Sequence, residues 1–323
     1  MKLHLLHLLA RAACAALLAV FAVSAFAQYP AKPIRLVVPY PPGGTADAIA
    51  RSIATSMAQS LGQPMVIDNK PGADGVIAAS AVATSPPDGY TLLFATAGAF
   101  SFAPVAHKSV PYDPIGDFTP IGLAGEFGYF LFVHPSLPVR NLREFVSYAK
   151  ANPGKLNHGS ANTTALIMSS NLAVTQKLDF QQVPYKGEAT LAPDFLSGRI
   201  QFAFGSAGFV PSAKEGSLRA VATLLPVRST LLPDVQTFAE AGLTPPPIAA
   251  WTAFAGPAKL PPEIVTRLSR ALNTALDQPE VRERFAVVAG QVRQGTPEQL
   301  SAFIKEQLGA YRKESQAAGI KPE

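Results

Sequence analysis

Hydrophobic positions change period abruptly between residues 34 and 62, and that change sets the frame for the whole chain. Leu36, Val37 and Val38 form a short apolar, β-branched run, as in a strand buried on both faces. Pro39 stops it. Pro41, Pro42, Gly43 and Gly44 then make a loop, and Ile49, Ile53, Met57 and Leu61 recur every four residues, which predicts a helix ending at Gly62. Similar alternation continues. A strand is expected at 65–68, a loop at 71–75, an Ala-rich helix to about Thr84, a turn at Pro86-Pro87-Asp88-Gly89, and a buried strand over 90–95. Repeated β-α-β units predict mainly parallel sheets with right-handed crossovers, whose ligands gather at the carboxyl ends of strands. Thr96, Ala97 and Gly98 then share a rim with the 41–45 loop.

Strand-like stretches at 121–124 and 127–133, separated by Gly125, predict a crossing into a second lobe. Asn141 followed by Glu144 predicts a capping box and a helix to about Ala151. A short strand at 156–159 leads to Ser160, Ala161, Asn162, Thr163 and Thr164, which either cap the next helix or turn their donors to a ligand. Strands at 180–184, 200–204 and 218–224 follow, with loops at Tyr185-Lys186-Gly187 and Gly205-Ser206. Pro233-Asp234 predicts a helix closed by Gly242. A second crossing is expected over 248–254, and helices over 262–277, 280–288 and 296–318 complete the first lobe. The fold class is therefore α/β, two-lobed, with a cleft between sheets flanked by helices. Residues 28–125 plus 251–323 form lobe 1, and residues 126–250 form lobe 2.

The first residues read differently. Lys2 and Arg11, an apolar run from Ala12 to Phe21 and the small-x-small Ala25-Phe26-Ala27 predict a signal peptide over 1–27, removed on export. Cys14, the one cysteine, lies inside it, so the exported chain has no thiol for a disulfide or a metal. Of the 27 Lys and Arg in 323 residues, 25 then remain against 22 Asp and Glu, a net charge of +3. These basic residues are scattered, which argues against nucleic acid as a partner.

Catalytic chemistry has little to stand on. His107, His134 and His158 lack metal-ligand spacing, no G-x-S-x-G elbow occurs, and neither G-x-G-x-x-G nor a Gly-Lys-Ser/Thr follows the glycine loop. No metal or cofactor is expected, and no enzyme activity; a hydrolase has no positive support. The Gly-rich loop leaves helix N–H groups aimed at one point, where an anion sits favourably. The same turn with Asp47 in the first helical turn also serves a helix that binds nothing.

Motifs then accumulate. Tyr29-Pro30-Ala31-Lys32-Pro33-Ile34 runs into Val37-Val38-Pro39-Tyr40-Pro41-Pro42-Gly43-Gly44, and Pro86-Pro87-Asp88-Gly89-Tyr90-Thr91-Leu92-Leu93 follows. Later come Pro111-Tyr112-Asp113-Pro114, His134-Pro135-Ser136-Leu137-Pro138, Val183-Pro184-Tyr185-Lys186-Gly187 and Leu232-Pro233-Asp234-Val235. The set resembles the Bug family of periplasmic solute receptors, the substrate-binding components of tripartite tricarboxylate transporters. The resemblance implies a type II periplasmic-binding-protein fold, a monomer, that holds a small carboxylate and delivers it to integral-membrane transporter subunits. It implies contacts from Tyr40, Gly43, Gly44, Thr45, Asp47, Thr96, Ala97, Gly98 and Phe100 in lobe 1. In lobe 2 it implies Ser160, Ala161, Asn162, Thr163, Tyr185, Gly205 and Ser206. A periplasmic sensor for a signalling partner is the alternative reading.

Some loops depart from the family pattern. Gly98-Ala99-Phe100-Ser101-Phe102-Ala103-Pro104 replaces polar groups with phenylalanine, and the 160–164 loop lacks the usual glycines. Phe100, Phe102, Phe209 and Trp251 therefore suggest an aromatic or apolar body on the solute, or else simply pack the lobes. Asp47 is placed to meet the opposite lobe or an amine on the solute.

Overall fold

The computed structural model describes residues 29–185, 187–320 and 322. The expected signal segment, with Cys14, and Lys186 lie outside the described residues. Lobe 1 begins with β1 (Ile34–Val38), in which Ile34, Leu36, Val37 and Val38 are fully buried and Arg35 is exposed. Apolar side chains on both faces drive this strand to the sheet interior, where it pairs in parallel with β2 (Met65–Asn69) and β3 (Thr91–Thr96). Helix α1 (Thr45–Leu61) lays Ile49, Ile53, Met57 and Leu61 on the same face of that sheet. Gly62 closes α1 in the left-handed region at φ 73°, its N–H bonded to the Ala58 carbonyl. Truncating Ile53 to alanine would cost about 2–5 kcal/mol, as a buried aliphatic in a tight core.

The remaining strands of this six-stranded sheet run the other way. Strand β10 (Ala250–Pro257) is antiparallel to both β3 and β4 (Phe118–Phe127), and β11 (Gly290–Val292) is antiparallel to β4 at the edge, giving the order β11-β4-β10-β3-β1-β2. Lobe 2 contains β5 (Phe130–Val133), β6 (Asn157–Ser160), β7 (Gln181–Pro184), β8 (Phe202–Gly205) and β9 (Arg219–Thr223), ordered β7-β6-β8-β5-β9. Here β6 is parallel to β7 and β8, while β5 is antiparallel to β8 and β9. The sheets are thus mixed, where the β-α-β reading expected mainly parallel ones. The chain leaves lobe 1 through β4 and re-enters through β10 beside it, and a leaving strand next to a returning one must be antiparallel.

Helices flank both sheets. Lobe 1 continues with α2 (Val76–Ala83) and α3 (Ala103–Ala106), and lobe 2 carries α4 (Leu142–Ala151), α5 (Thr163–Gln176), α6 (Glu188–Leu196) and α7 (Val210–Lys214). The C-terminal α8 (Pro262–Leu276), α9 (Pro279–Ala286) and α10 (Pro297–Ala317) return to lobe 1. Thr296 and Gln299 form a complete capping box at α10. At α4 Asn141 accepts from the Glu144 N–H at 3.0 Å, but the Glu144 carboxylate returns to the Asn141 amide and the Arg140 N–H. None of the helices among the described residues is long and apolar enough to cross a membrane.

Three local expectations change. Residues 233–242 form turns rather than a helix, because the edge of β9 captures their backbone: Thr223 N–H donates to the Gln236 carbonyl and Phe238 N–H to the Thr223 carbonyl. Gly125 does not interrupt β4; a Cβ there would collide with the Phe285 ring, so the glycine makes room for packing. The break falls at 128–129 instead. Strand β11, only 3 residues long, is too short to show a period.

Candidate functional site

A cavity of about 330 Å³ lies where the two sheets meet. Lobe 1 lines it with Tyr40, Asp74, Thr96, Ala97, Gly98 and Phe102; lobe 2 adds Tyr129, Asn162, Thr163 and Thr164. Phe127, Ala250 and Trp251, at the ends of the two crossing strands, form its floor. The volume falls at the small end of ligand sites, and the position matches the strand-end rule for α/β sheets. A wider hollow of about 960 Å³ between α8 and the start of α10 faces outward on lobe 1 alone. Size favours that hollow, yet only the smaller cavity is enclosed from both lobes, so it is the better candidate.

Each wall has a local cause. Pro39 ends β1 and Tyr40 follows, its carbonyl accepting from the Asn69 side chain at 2.9 Å. Beyond β3 the chain enters a π-helical turn over Gly98–Phe102, and Gly98 is pressed so close to the Asp74 carbonyl that a Cβ would sit 2.8 Å from it. Across the gap, Asn162 caps α5 by accepting from the Ala165 N–H at 2.9 Å, while its amide donates to the Tyr129 hydroxyl at 3.2 Å. The Thr163 and Thr164 N–H groups sit in the first turn of α5, where no carbonyl four residues back can serve them. Desolvation pushes the Tyr129 hydroxyl above its ordinary pKa and, although the Tyr40 residue as a whole is 38% exposed, the Tyr40 hydroxyl moves the same way; tyrosine is neutral at pH 7 in either case. The result is a polar-capped, aromatic-walled chamber suited to a small molecule with one anionic end.

Of the contacts expected from the sequence, Tyr40, Thr96, Ala97, Gly98, Asn162 and Thr163 meet here. Others do not line the cavity, for identifiable reasons. Asp47 is 1% exposed and fully engaged: Oδ2 accepts from the Gly43 N–H at 2.9 Å and Arg51 at 2.7 Å, and Oδ1 from Asn69 at 2.8 Å. Desolvation pushes its pKa up, but these donors, with the Arg51 charge, outweigh it and pull the carboxyl to about 2. The Gly43 amide is therefore filled by the protein's own carboxylate, and the anion nest is occupied from within. Gly44 is the extended residue preceding α1, and Thr45 is the first residue of that helix; its side chain lies outside the described residues.

Phe100 is fully buried, its ring 4.7 Å from Phe118 and 6.1 Å from Trp251, behind the wall rather than on it. Ser160 and Ala161 are each 6% exposed, and the Ser160 hydroxyl donates to the Asn162 carbonyl at 3.3 Å. Tyr185 turns its hydroxyl to Asp194 at 2.8 Å. Glu188 takes both the N–H and the hydroxyl of Ser206, at 2.6 and 2.8 Å. Gly205 faces Phe209, which a Cβ would approach to 2.5 Å, so it too answers to packing. Of the four rings proposed for an apolar solute body, Phe102 and Trp251 line the cavity, while Phe209 packs against Phe132 and Phe195.

Sequence reasoning missed Asp74, Phe127, Tyr129 and Ala250. Phe127, Tyr129 and Ala250 flank the crossings, a position legible in principle once the crossings were placed. Asp74 sits in a Gly-rich turn with no signal of its own.

Comparison with known proteins gives the family. Residues 49–319 match the model of the tripartite tricarboxylate transporter family receptor, TctC. Protein BugT of Bordetella pertussis is 34% identical over 288 residues, covering 87% of each chain. The chain belongs to the Bug/TctC receptor family. Among solved members of that family, the periplasmic binding protein BugD superposes with a TM-score of 0.71 at 30% identity, covering 91% of this chain and 100% of that one. An R. palustris protein solved with adipate gives 0.75 at 30% identity, covering 91% and 100%. MatC from Rhodopseudomonas palustris, solved with malate, gives 0.70 at 31%, covering 88% and 99%. Bug/TctC membership and the two-lobed binding-protein fold are thus established from both sequence and structure.

Proposed function

We propose that this chain is a periplasmic receptor that captures a small carboxylated solute in the interlobe cavity and delivers it to a tripartite tricarboxylate-type membrane transporter. The observation that carries the reading is the 330 Å³ cavity walled by both lobes, with the free N–H groups of the α5 first turn on one side and the Tyr40 and Thr96 hydroxyls on the other. A carboxylate there meets donors and the positive end of a helix dipole without needing an arginine. Relatives solved with adipate and malate support the same class of ligand. In this reading residues 1–27 direct export, residues 28–125 plus 251–323 form one jaw, 126–250 the other, and the receptor works as a monomer without catalysing a reaction. Bridging waters contribute to such sites nearly as much as direct bonds.

Thermal unfolding with a panel of carboxylic acids tests this directly. A ligand present at 100 times its Kd stabilises by about 2.7 kcal/mol. At least one acid should raise Tm and its uncharged amide should not. If no acid in the panel shifts Tm, and native mass spectrometry of the purified protein shows no retained solute, the receptor reading fails.

A further inference from the structure

Asp74 is the sole charged side chain among the residues that line the cavity; neither arginine nor lysine joins it. The turn that presents it is held in a costly conformation. Gly72, Ala73, Asp74 and Gly75 have φ of 117°, 46°, 54° and 92°, so two residues bearing a Cβ lie in the left-handed region. Such strain persists where the surroundings fix it. Here they do: the Asp74 carbonyl abuts Gly98, and a Cβ on Gly75 would lie 3.1 Å from Ala99 and 3.3 Å from Pro39. The carboxylate is thereby positioned between the end of β1 and the turn after β3.

One carboxylate oxygen, Oδ2, lies 3.3 Å from His107 Nε2, and the Asp74 side chain remains 46% exposed. Among the described residues Oδ1 makes no hydrogen bond. The same cavity is lined by the rings of Tyr40, Phe102, Phe127, Tyr129 and Trp251. A carboxylate beside aromatic faces is a setting that attracts a cation and repels a second anion. A dicarboxylate in this chamber would bring its far end toward Asp74 with no cation in the lining to offset it.

We propose that the solute is a zwitterion, its carboxylate held at the α5 N-terminus and its ammonium or amine held by Asp74 and the aromatic walls. This rests on the reading of the cavity as the solute site. Of the two roles open to Asp47 from the sequence, the opposite lobe or an amine on the solute, the amine contact passes in this reading to Asp74, the acid that lines the cavity.

Calorimetry on matched pairs tests the assignment, with L-phenylalanine against 3-phenylpropionate and 5-aminovalerate against valerate, and with adipate and malate as anionic controls. At least one aminated member should bind about tenfold or more tighter than its deaminated partner, the scale of a charge pair enclosed on binding. Asp74→Asn should abolish that ratio by weakening the aminated member alone. His107→Gln, which leaves the carboxylate in place, should keep it. Equal binding within both pairs, or a ratio unchanged in Asp74→Asn, overturns the zwitterion assignment. Adipate or malate binding tightly while the aminated acids do not also overturns it, yet leaves the receptor reading intact. Silence from every acid, controls included, overturns both.

Discussion

His158 gives the sharpest quantitative expectation. It sits in β6, fully buried, with neither ring nitrogen hydrogen-bonded, and its ring lies 5.0 Å from Phe202 and 5.8 Å from Phe180. Burial among phenylalanines pushes its pKa down to about 3. The folded protein therefore keeps His158 neutral, while the unfolded chain protonates it below about pH 6.5. A depressed histidine destabilises as pH falls: the cost begins near pH 6.5, grows by about 1.4 kcal/mol per pH unit, and levels off near the folded pKa. At pH 5 it amounts to about 2 kcal/mol relative to pH 7.5. His158→Leu removes the titration and the unpaired ring N–H without changing the volume greatly, so the variant should be no less stable at pH 7.5. Urea unfolding of both proteins at pH 7.5 and 5.0 reads the difference. The stability gap should move by about 2 kcal/mol in favour of the variant on acidification. A gap that stays within about 0.5 kcal/mol between the two pH values refutes the account, as would an imidazole resonance of His158 titrating near pH 6.

Other expectations separate the wall of the cavity from residues that serve the fold alone. Asp47→Ala should cost about 2 kcal/mol at pH 7, and because the folded pKa is depressed the penalty should roughly halve by pH 3 and vanish below about pH 2, as urea titrations at the three pH values would show. Tyr129→Phe removes the hydroxyl that accepts from Asn162, and calorimetry should record a weakening of solute binding by about 3- to 10-fold with Tm nearly unchanged. Gly205→Ala forces Phe209 to move and should lower stability by about 1–3 kcal/mol while leaving solute affinity alone. Lost affinity with unchanged stability would return the 205–206 loop to the binding site.

Much of the architecture was legible because period is a local property. The apolar run of β1 and the four-residue repeat of α1 announced a buried strand and an amphipathic helix, and both are there with the expected faces inward. Asn162 was legible as a cap because the side chain that caps is next to the helix it serves. What failed was decided at a distance. Residues 233–242 carry helix-like start and stop signals, but the open edge of β9 offers backbone partners no local pattern reveals. Asp47 and Asp74 both follow glycine-bearing loops; Arg51, one turn on in α1, is a local partner for the first, but nothing local says that Asn69 joins it or that the 98–102 turn brings the other to the cavity. Phenylalanine has the same ambiguity: Phe102 faces the chamber and Phe100, two residues earlier, is buried behind it.

The floor of the chamber is made by the strands that carry the chain between lobes, with Ala250 paired to Phe127 and Trp251 to Glu126 at the point where β4 gives way to β5. In two-lobed receptors such crossings are where the backbone bends. Phe127 and Trp251 thus answer to two selections at once, the shape of the cargo and the angle at which the jaws meet. A substitution at these positions would alter the lining of the cavity and the angle between the lobes together. Asp74, borne on a loop of one lobe alone, is free of that double duty. Diversification of cargo among close descendants of this sequence is then expected to run through residues such as Asp74 and Phe102, with the crossing pair left in place.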